Sequence, residues 1–279
     1  MFIRTHKMKS ATAKATICAI GDIQWSGDEE DIAYDLLEEH IGNCLEQPTP
    51  LFVGMGDYSD FASPSMRRAL ETHVTYDTAK KVIADKSKAL IDDLYRRLLK
   101  PTRDKWLGLT QGHHHHPVKI SELKDGTVVM EDSDVYLAKL LNAPWLDEMG
   151  IIKMVFPGGG VFRILAMHGS GSSVFPWGPL VKLYRLMPHF HVDVLLLGHQ
   201  TKKAMGEVDR LEFPVETDDV KHMTIKMVGT GGWMKGYING RRTYVSTAGL
   251  GPVALGQPLI HLRPRVRKGT WEPRMTVES

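Results

Sequence analysis

The sequence predicts an α/β fold with two stacked mixed β-sheets flanked by helices, a four-layer α-β-β-α sandwich. Three observations lead there. Short apolar runs such as ATICAI, LFVGM, FRILAM and VDVLLL have the length of strands and the near-continuous hydrophobicity of strands covered on both faces. Strand and helix patterns alternate in the first half of the chain and give way mostly to strand in the second, which fits stacked sheets with helices outside. Each of the four runs also ends in a Gly-flanked turn that delivers an acid or an imidazole: Asp22, Asp57, His168 and His199. That is the pattern of an α/β enzyme that gathers a site along one edge of its sheets.

The elements follow in order. Residues 1–10 read as a loose basic tail and Thr16–Ile20 as a buried strand. Ser26-Gly27-Asp28 is expected to open a helix with acidic residues in its first turn, and Ile32, Leu36, Leu37, Ile41 and Leu45 keep helical spacing. Residues 51–55 form the second buried strand. Ser63-Pro64 starts a short helix, with Pro in a favourable first-turn position. A long helix spans about 76–99, with Ile83, Leu90, Ile91, Leu94 and Leu98 on one face and Pro101 as its stop. Residues 106–110 are a short strand. Asp132 or Ser133 caps a helix through Leu141, strands cover 162–167 and 192–197, and 179–187 is helical between them. From Met223 the chain reads as β, in HMTIKMVGT, GRRTYVSTAG and PLIHLRP. GTGGWMKGY at 229–237 is a turn region near the site rather than a phosphate loop, because it lacks the Walker pattern and opens no helix. One domain is expected over 11–265, followed by a polar tail over 266–279.

Composition narrows the function classes. Of 279 residues, 42% are hydrophobic and 24% charged, ordinary values for a soluble domain. A net charge of +2 sets up no global field that selects nucleic acid or a membrane. Cys18 and Cys44 are the only cysteines, and they read as buried free thiols in a reducing compartment. The N-terminus has no sustained apolar segment and no run is long enough to span a bilayer. A cytoplasmic protein without membrane contact is the expectation.

The chemistry lies in the turns. A pair of divalent ions needs oxygen and imidazole ligands, with one carboxylate placed to bridge them. Asp22, Asp57, His113, His168 and His199 offer that set. GDIQ, GDYSD, GHHHH, MHGSG and GHQTK, in this order from about Thr16 to Arg263, resemble the five blocks of the calcineurin-like metallophosphoesterases, and the stretch from GHHHH to GHQTKK is similar to the phage and prophage branch, where G-H-H replaces G-N-H. The resemblance implies a β-sandwich flanked by helices and hydrolysis of phosphate esters with one or two divalent ions, Mn above all, with Fe, Zn or Mg as alternatives. It implies that Asp22 binds the first metal, Asp57 bridges both, and His113, His168 and His199 hold the second. His114 matches the general acid.

Two positions depart from the family pattern. Gln24 and Thr201 stand where the family has His ligands, and a neutral amide or hydroxyl binds a transition metal less well than imidazole. One tight ion, a second ion held weakly with help from Gln24, and loss of catalysis are all open outcomes. Asp22 and Asp57 taken singly could each close a turn. His115 and His116 are expected behind the ligands or in solvent, and Asp60 as a hydrogen-bonding residue. Trp25, Tyr58 and Phe61 could stack on a base or simply pack a loop. Arg67, Arg68, Lys202 and Lys203 could meet phosphates or be solvated, and His73, His189 and His191 read as surface or core histidines. The primary expectation is a phosphodiesterase acting on nucleic acid or a nucleotide. The alternatives are a single-metal binding module and a phosphomonoesterase.

Overall fold

The computed structural model describes residues 1–61, 77–213, 220–267 and 269–279. Two six-stranded mixed sheets form its centre. The first runs in the order β1 (Phe2–Lys7), β8 (Met149–Val155), β9 (Val161–Met167), β10 (Val194–Leu197), β12 (Lys221–Thr230) and β11 (Lys203–Glu212). The second runs β16 (Met275–Glu278), β13 (Leu259–Leu262), β2 (Ala15–Ile20), β3 (Pro50–Gly54), β4 (Trp106–Thr110) and β7 (Trp145–Asp147). Two small ribbons, β5–β6 (Pro117–Glu122, Val128–Asp132) and β14–β15 (Arg265–Arg267, Thr270–Glu272), complete the strands.

The sheets stack through Ile17, Ala19, Val53, Phe162, Ile164 and Leu196, which form one continuous core. The outer face of the second sheet, with Cys18, Phe52 and Leu109, packs on α1 (Tyr34–Glu46), α2 (Asp77–Leu94) and α3 (Ser133–Leu141) through Leu37, Ile91 and Leu137. The outer face of the first, with Leu165, Leu195 and Met227, packs on α4 (Gly178–Leu186) through Leu183. A short α5 (Tyr244–Thr247) lies outside these layers. The fold is thus the expected α/β arrangement of two stacked mixed sheets between helices. β2 is buried at every position because strands flank it and both faces are covered.

Several elements differ from expectation, each for a local reason. The first helix begins at Tyr34 rather than near Asp28. Ahead of it, side chains capture the backbone: Asp28 accepts from the Glu30 N–H at 2.9 Å, and Ser26 donates to Asp31 at 2.6 Å. Arg241 bridges Asp28, Glu30 and Asp31. Such local bonds compete with helix formation. Leu36 consequently faces solvent while Leu37, Ile41 and Cys44 are buried. The long helix leaves α geometry at Leu94, widening to a π turn over Tyr95–Leu99 and tightening to a 3-10 turn at Pro101, which has no N–H to continue the ladder. The 240–249 segment is no strand. Thr243 and Ser246 exchange backbone-to-hydroxyl bonds at 3.0 and 3.1 Å and cap α5 instead.

Neither terminal segment is a loose tail. β1 pairs in parallel with β8, and β16 pairs antiparallel with β13. Both are edge strands: β16 turns Met275 and Val277 inward and Thr276 and Glu278 outward, while β1 buries none of its residues and four of its six are polar, so the apolar signal is diluted. Trp271 anchors the C-terminal part by packing tilted against Phe156, with ring centroids 5.0 Å apart and planes at 39°, and donates to the Ala11 carbonyl at 3.0 Å. The helix expected at Ser63-Pro64, Arg67, Arg68 and His73 lie outside the described residues. Among the described residues, no helix is long and apolar enough to cross a membrane.

Phe162 is fully buried between the sheets and Leu36 is 44% exposed. Phe162→Ala is expected to cost about 3–5 kcal/mol and Leu36→Ala less than about 0.5 kcal/mol, read as urea midpoints at constant m-value. Equal midpoints would contradict the layer assignment.

Candidate metal centre

Six parallel strands end at one place. β2, β3 and β4 run parallel in one sheet, and β9, β10 and β12 run parallel in the other. The turns that follow them carry Asp22, Asp57, Gly112–His114, His168, His199 and Gly231–Trp233. The backbone there is unusual. Asp22, Gln24, Asp57, His199 and Thr201 all have positive φ, at 46°, 53°, 50°, 63° and 50°, and they make up five of the nine such non-glycine residues described. Left-handed backbone costs a side-chain-bearing residue energy and tends to collect where function requires it. The turns also come very close together. A Cβ on Gly112 would sit 2.0 Å from the Asp57 nitrogen, and one on Gly56 would sit 2.6 Å from His168 Nδ1.

Asp57 is the hub. Its Oδ1 accepts from the backbone N–H groups of His113 and His114, and its Oδ2 lies 3.2 Å from His168 Nε2. His168 Nδ1 donates to the Met55 carbonyl at 2.7 Å. This fixes the tautomer and turns Nε2 toward the cluster, as for a metal-ligating histidine. His199 Nδ1 lies 3.3 Å from His168 Nε2 and 3.2 Å from His113 Nδ1. The three rings meet edge to face at 76° to 87°, so their nitrogens converge on one small volume. Asp22 is fully buried, its Oδ2 accepts from the His199 N–H at 2.9 Å, and its Oδ1 has no partner among the described residues.

This arrangement fits a divalent cation. The ligand atoms of His113, His168 and His199 lie within 4.8 Å of one another, as do those of Asp22, Asp57 and His168. A buried, unpartnered carboxylate oxygen is costly without a positive partner, and imidazole nitrogens facing one another call for a shared cation or proton. The electrostatics agree. Burial pushes Asp22 up to about 7, opposed by the charge of His168 and assisted by that of Asp57. Burial also works against the charge of Asp57, but its bond to His168 prevails and holds it below the ordinary carboxylate range. Burial likewise opposes the charge on His168, yet Asp57 outweighs it and raises this histidine to about 9. Burial, with the charges of His168 and His113, lowers His199 to about 4.

The remaining expected residues divide. His114 stands at the rim, its Nδ1 bonded to Asp60 Oδ1 at 2.7 Å and its Nε2 4.0 Å from Asp57 Oδ2. Asp60 is therefore the hydrogen-bonding residue expected, and its partner is His114. His115 pairs with Asp132, behind the cluster, and the His116 ring lies against Phe61. Gln24 and Thr201 share the turns of Asp22 and His199. Neither side chain makes a hydrogen bond among the described residues, and the Thr201 methyl lies on the Asp22 side, near Gly232. Trp25 and Tyr58 are not rim aromatics. Both are fully buried, with Trp25 Nε1 on Asp93 and Tyr58 OH on the Thr110 carbonyl at 2.9 Å. Their ring area was worth more in the α-helix–sheet core than beside the site.

Three supporting residues carried little sequence signal. Asp134 is buried, is pushed up to about 7 by burial, and accepts from the Gly112 N–H at 2.9 Å. In sequence it is one more acid in a helix first turn. Gln257 clasps Gly21 through two bonds of 3.2 and 3.0 Å and receives Trp233 Nε1 at 3.0 Å. Trp233, within the Gly-rich segment, donates its backbone N–H to the Asp22 carbonyl at 3.0 Å, so that segment does border the site.

No protein-family model and no curated protein matches this chain. Among solved structures it is similar to Vps29 of Entamoeba histolytica complexed with Zn²⁺, at 14% identity and a TM-score of 0.40, covering 94% of this chain and 98% of that one. A single-substitution variant of the same protein gives 13% identity and a TM-score of 0.38, over 95% and 99% of the two chains. A likeness at this level carries no argument about the chemistry of this chain.

Cation uptake should release protons. A ligand must be deprotonated to bind, and in the cation-free protein His168 stays charged up to about pH 9 and Asp22 stays neutral up to about pH 7. Apparent affinity for Mn²⁺ should therefore rise with pH through this window. At pH 6.5, the heat of Mn²⁺ binding should differ between buffers of different ionisation enthalpy. Identical heats would contradict the assigned ligands.

Proposed function

We propose that this chain is a calcineurin-like, metal-dependent phosphoesterase that hydrolyses phosphodiesters. The observation that carries the reading is the sharing of His168 between two donor groups, one rich in imidazole and one in carboxylate, with the His114–Asp60 pair at their rim. Carboxylate and imidazole together suit Mn, Fe or Zn. A bound divalent ion supplies a Lewis acid for the phosphoryl oxygens and a water of lowered pKa.

The residues of the chain do the rest. Asp57 would contribute to holding the cation from the carboxylate-rich group, paired with the histidine common to both groups. His113, His168 and His199 hold the richer site, and Asp22 with Gln24 the thinner one. His114 Nδ1–H donates to Asp60, so the proton it can give away is the one the charged imidazolium carries at Nε2. Burial opposes its charge, but the Asp60 bond and the Asp57 charge outweigh it and raise its pKa. A charged imidazole at the rim can protonate the departing oxygen. A nucleic acid or a nucleotide is the substrate class proposed. A second reading, a module that holds one cation without turnover, draws on Gln24 and Thr201 beside Asp22, a neutral amide and a hydroxyl that bind a transition metal less well than imidazole.

Hydrolysis of bis(p-nitrophenyl) phosphate by metal-stripped protein with Mn²⁺ restored tests the proposal. Turnover is expected, and Asp57→Asn should abolish it. His114→Ala should lower kcat about 10²–10⁴-fold with Mn²⁺ binding unchanged. Full activity in Asp57→Asn would sink the reading, and no turnover by folded, Mn²⁺-loaded protein would favour the binding module.

Asp60→Asn gives a separate check. A general acid fails as pH rises through its pKa, and loss of the Asp60 charge lowers the pKa of His114. The alkaline limb of kcat should therefore move to lower pH. An unmoved limb would remove His114 from the acid role.

A further inference from the structure

A cavity of about 720 Å³ opens beside the metal centre, in the loop between β9 and α4. It adjoins the site, because Gln200 in its lining follows His199 directly and Met167 and Ser170 lie within two residues of His168. Phe175 and Trp177 stack there with centroids 5.3 Å apart and planes at 15°, and they remain 55% and 56% exposed. The rings are not a frayed tip. Lys202 holds the Ser173 and Phe175 carbonyls, Lys182 holds the Ser170 carbonyl, and the Gly178 N–H donates to the Phe175 carbonyl at 3.0 Å.

The lining includes Lys182 and Arg185 and, among the described residues, no carboxylate. Gln200 Oε1 is buried without a hydrogen-bond partner among the described residues. An uncovered, parallel aromatic pair offers a π-face, the cations favour an anionic chain, and the orphan acceptor can receive an N–H group. These are the components of a stacking platform for a base on a phosphate backbone.

We propose that this cavity is a nucleobase subsite: it holds a base of the phosphodiester whose phosphorus lies at the His168–Asp57 cluster, with the base stacked on the Phe175–Trp177 pair and Lys182 and Arg185 facing neighbouring phosphates. The proposal rests on the phosphoesterase reading and names its substrate class. It also gives the base-stacking role, left open for Trp25 and Tyr58 in the sequence, to different aromatics.

The test is binding of a fluorescein-labelled, ten-nucleotide phosphorothioate oligothymidylate to the full chain with Mn²⁺, followed by anisotropy. An abasic oligomer of equal length and free thymidine monophosphate serve as competitors. Phe175→Ala/Trp177→Ala should weaken binding about tenfold or more and Trp177→Phe much less. The abasic oligomer should bind no better to the parent than oligothymidylate binds to the double variant. Arg185→Gln should weaken binding and reduce the salt slope by about one. Competition by the monophosphate at concentrations similar to the oligomer would assign the site to free nucleotides, and its failure to compete would assign it to strands. Equal binding by parent and double variant, or equal binding of the abasic oligomer, would overturn the subsite. Turnover of bis(p-nitrophenyl) phosphate separates the two ideas: turnover without base-dependent binding removes the subsite alone, and base-dependent binding without turnover removes the hydrolytic reading alone.

Discussion

The buried Asp57–His168 pair is the interaction on which the site depends. Asp57 comes from the second sheet and His168 from the first, and their contact at 3.2 Å ties the carboxyl edges of the two sheets together. The same carboxylate holds the His113–His114 turn by its backbone, and His168 reaches back to the Met55 carbonyl. Loss of one partner of such a buried pair leaves an uncompensated charge, at a cost of about 3–5 kcal/mol. The turn glycines are a consequence of this constraint. Gly112 and Gly56 stand where any Cβ would collide with Asp57 or His168, so the close approach and the pairing are one design.

The electrostatics of the cation-free cluster are those of a site awaiting charge. Asp22 and Asp57 are both buried, and their titrations are pushed apart, one carboxylate up and the other down. A bound cation inverts that logic, because it becomes the largest local charge and favours both carboxylates ionised. The imidazoles behave in the same way: His168 is held charged and His199 neutral, an asymmetry that a single shared cation removes.

Much of this was legible in the chain. Buried strands announce themselves by continuous hydrophobicity, as in ATICAI, and the turn after each delivered its acid or imidazole to one edge because parallel strands end together. Edge strands were harder to see. β1 and β16 lie at sheet edges with no fully buried residue, so their polar positions resemble tails. Aromatics next to a motif proved a poor guide to the rim, since Trp25 and Tyr58 follow positive-φ residues and turn back into the core. Asp134 could not have been singled out, because its role depends on the Gly112 N–H reaching it across 22 residues of chain.

Anomalous diffraction from a crystal equilibrated with Zn²⁺ or Mn²⁺ locates any cation held at the Asp57–His168 cluster. A peak is expected about 2.0–2.2 Å from His168 Nε2 and from an Asp57 oxygen, with His113 and His199 completing the shell. A second, weaker peak beside Asp22 would identify the thinner site. A metal peak that touches neither Asp57 nor His168 would show that the cluster is not the metal centre.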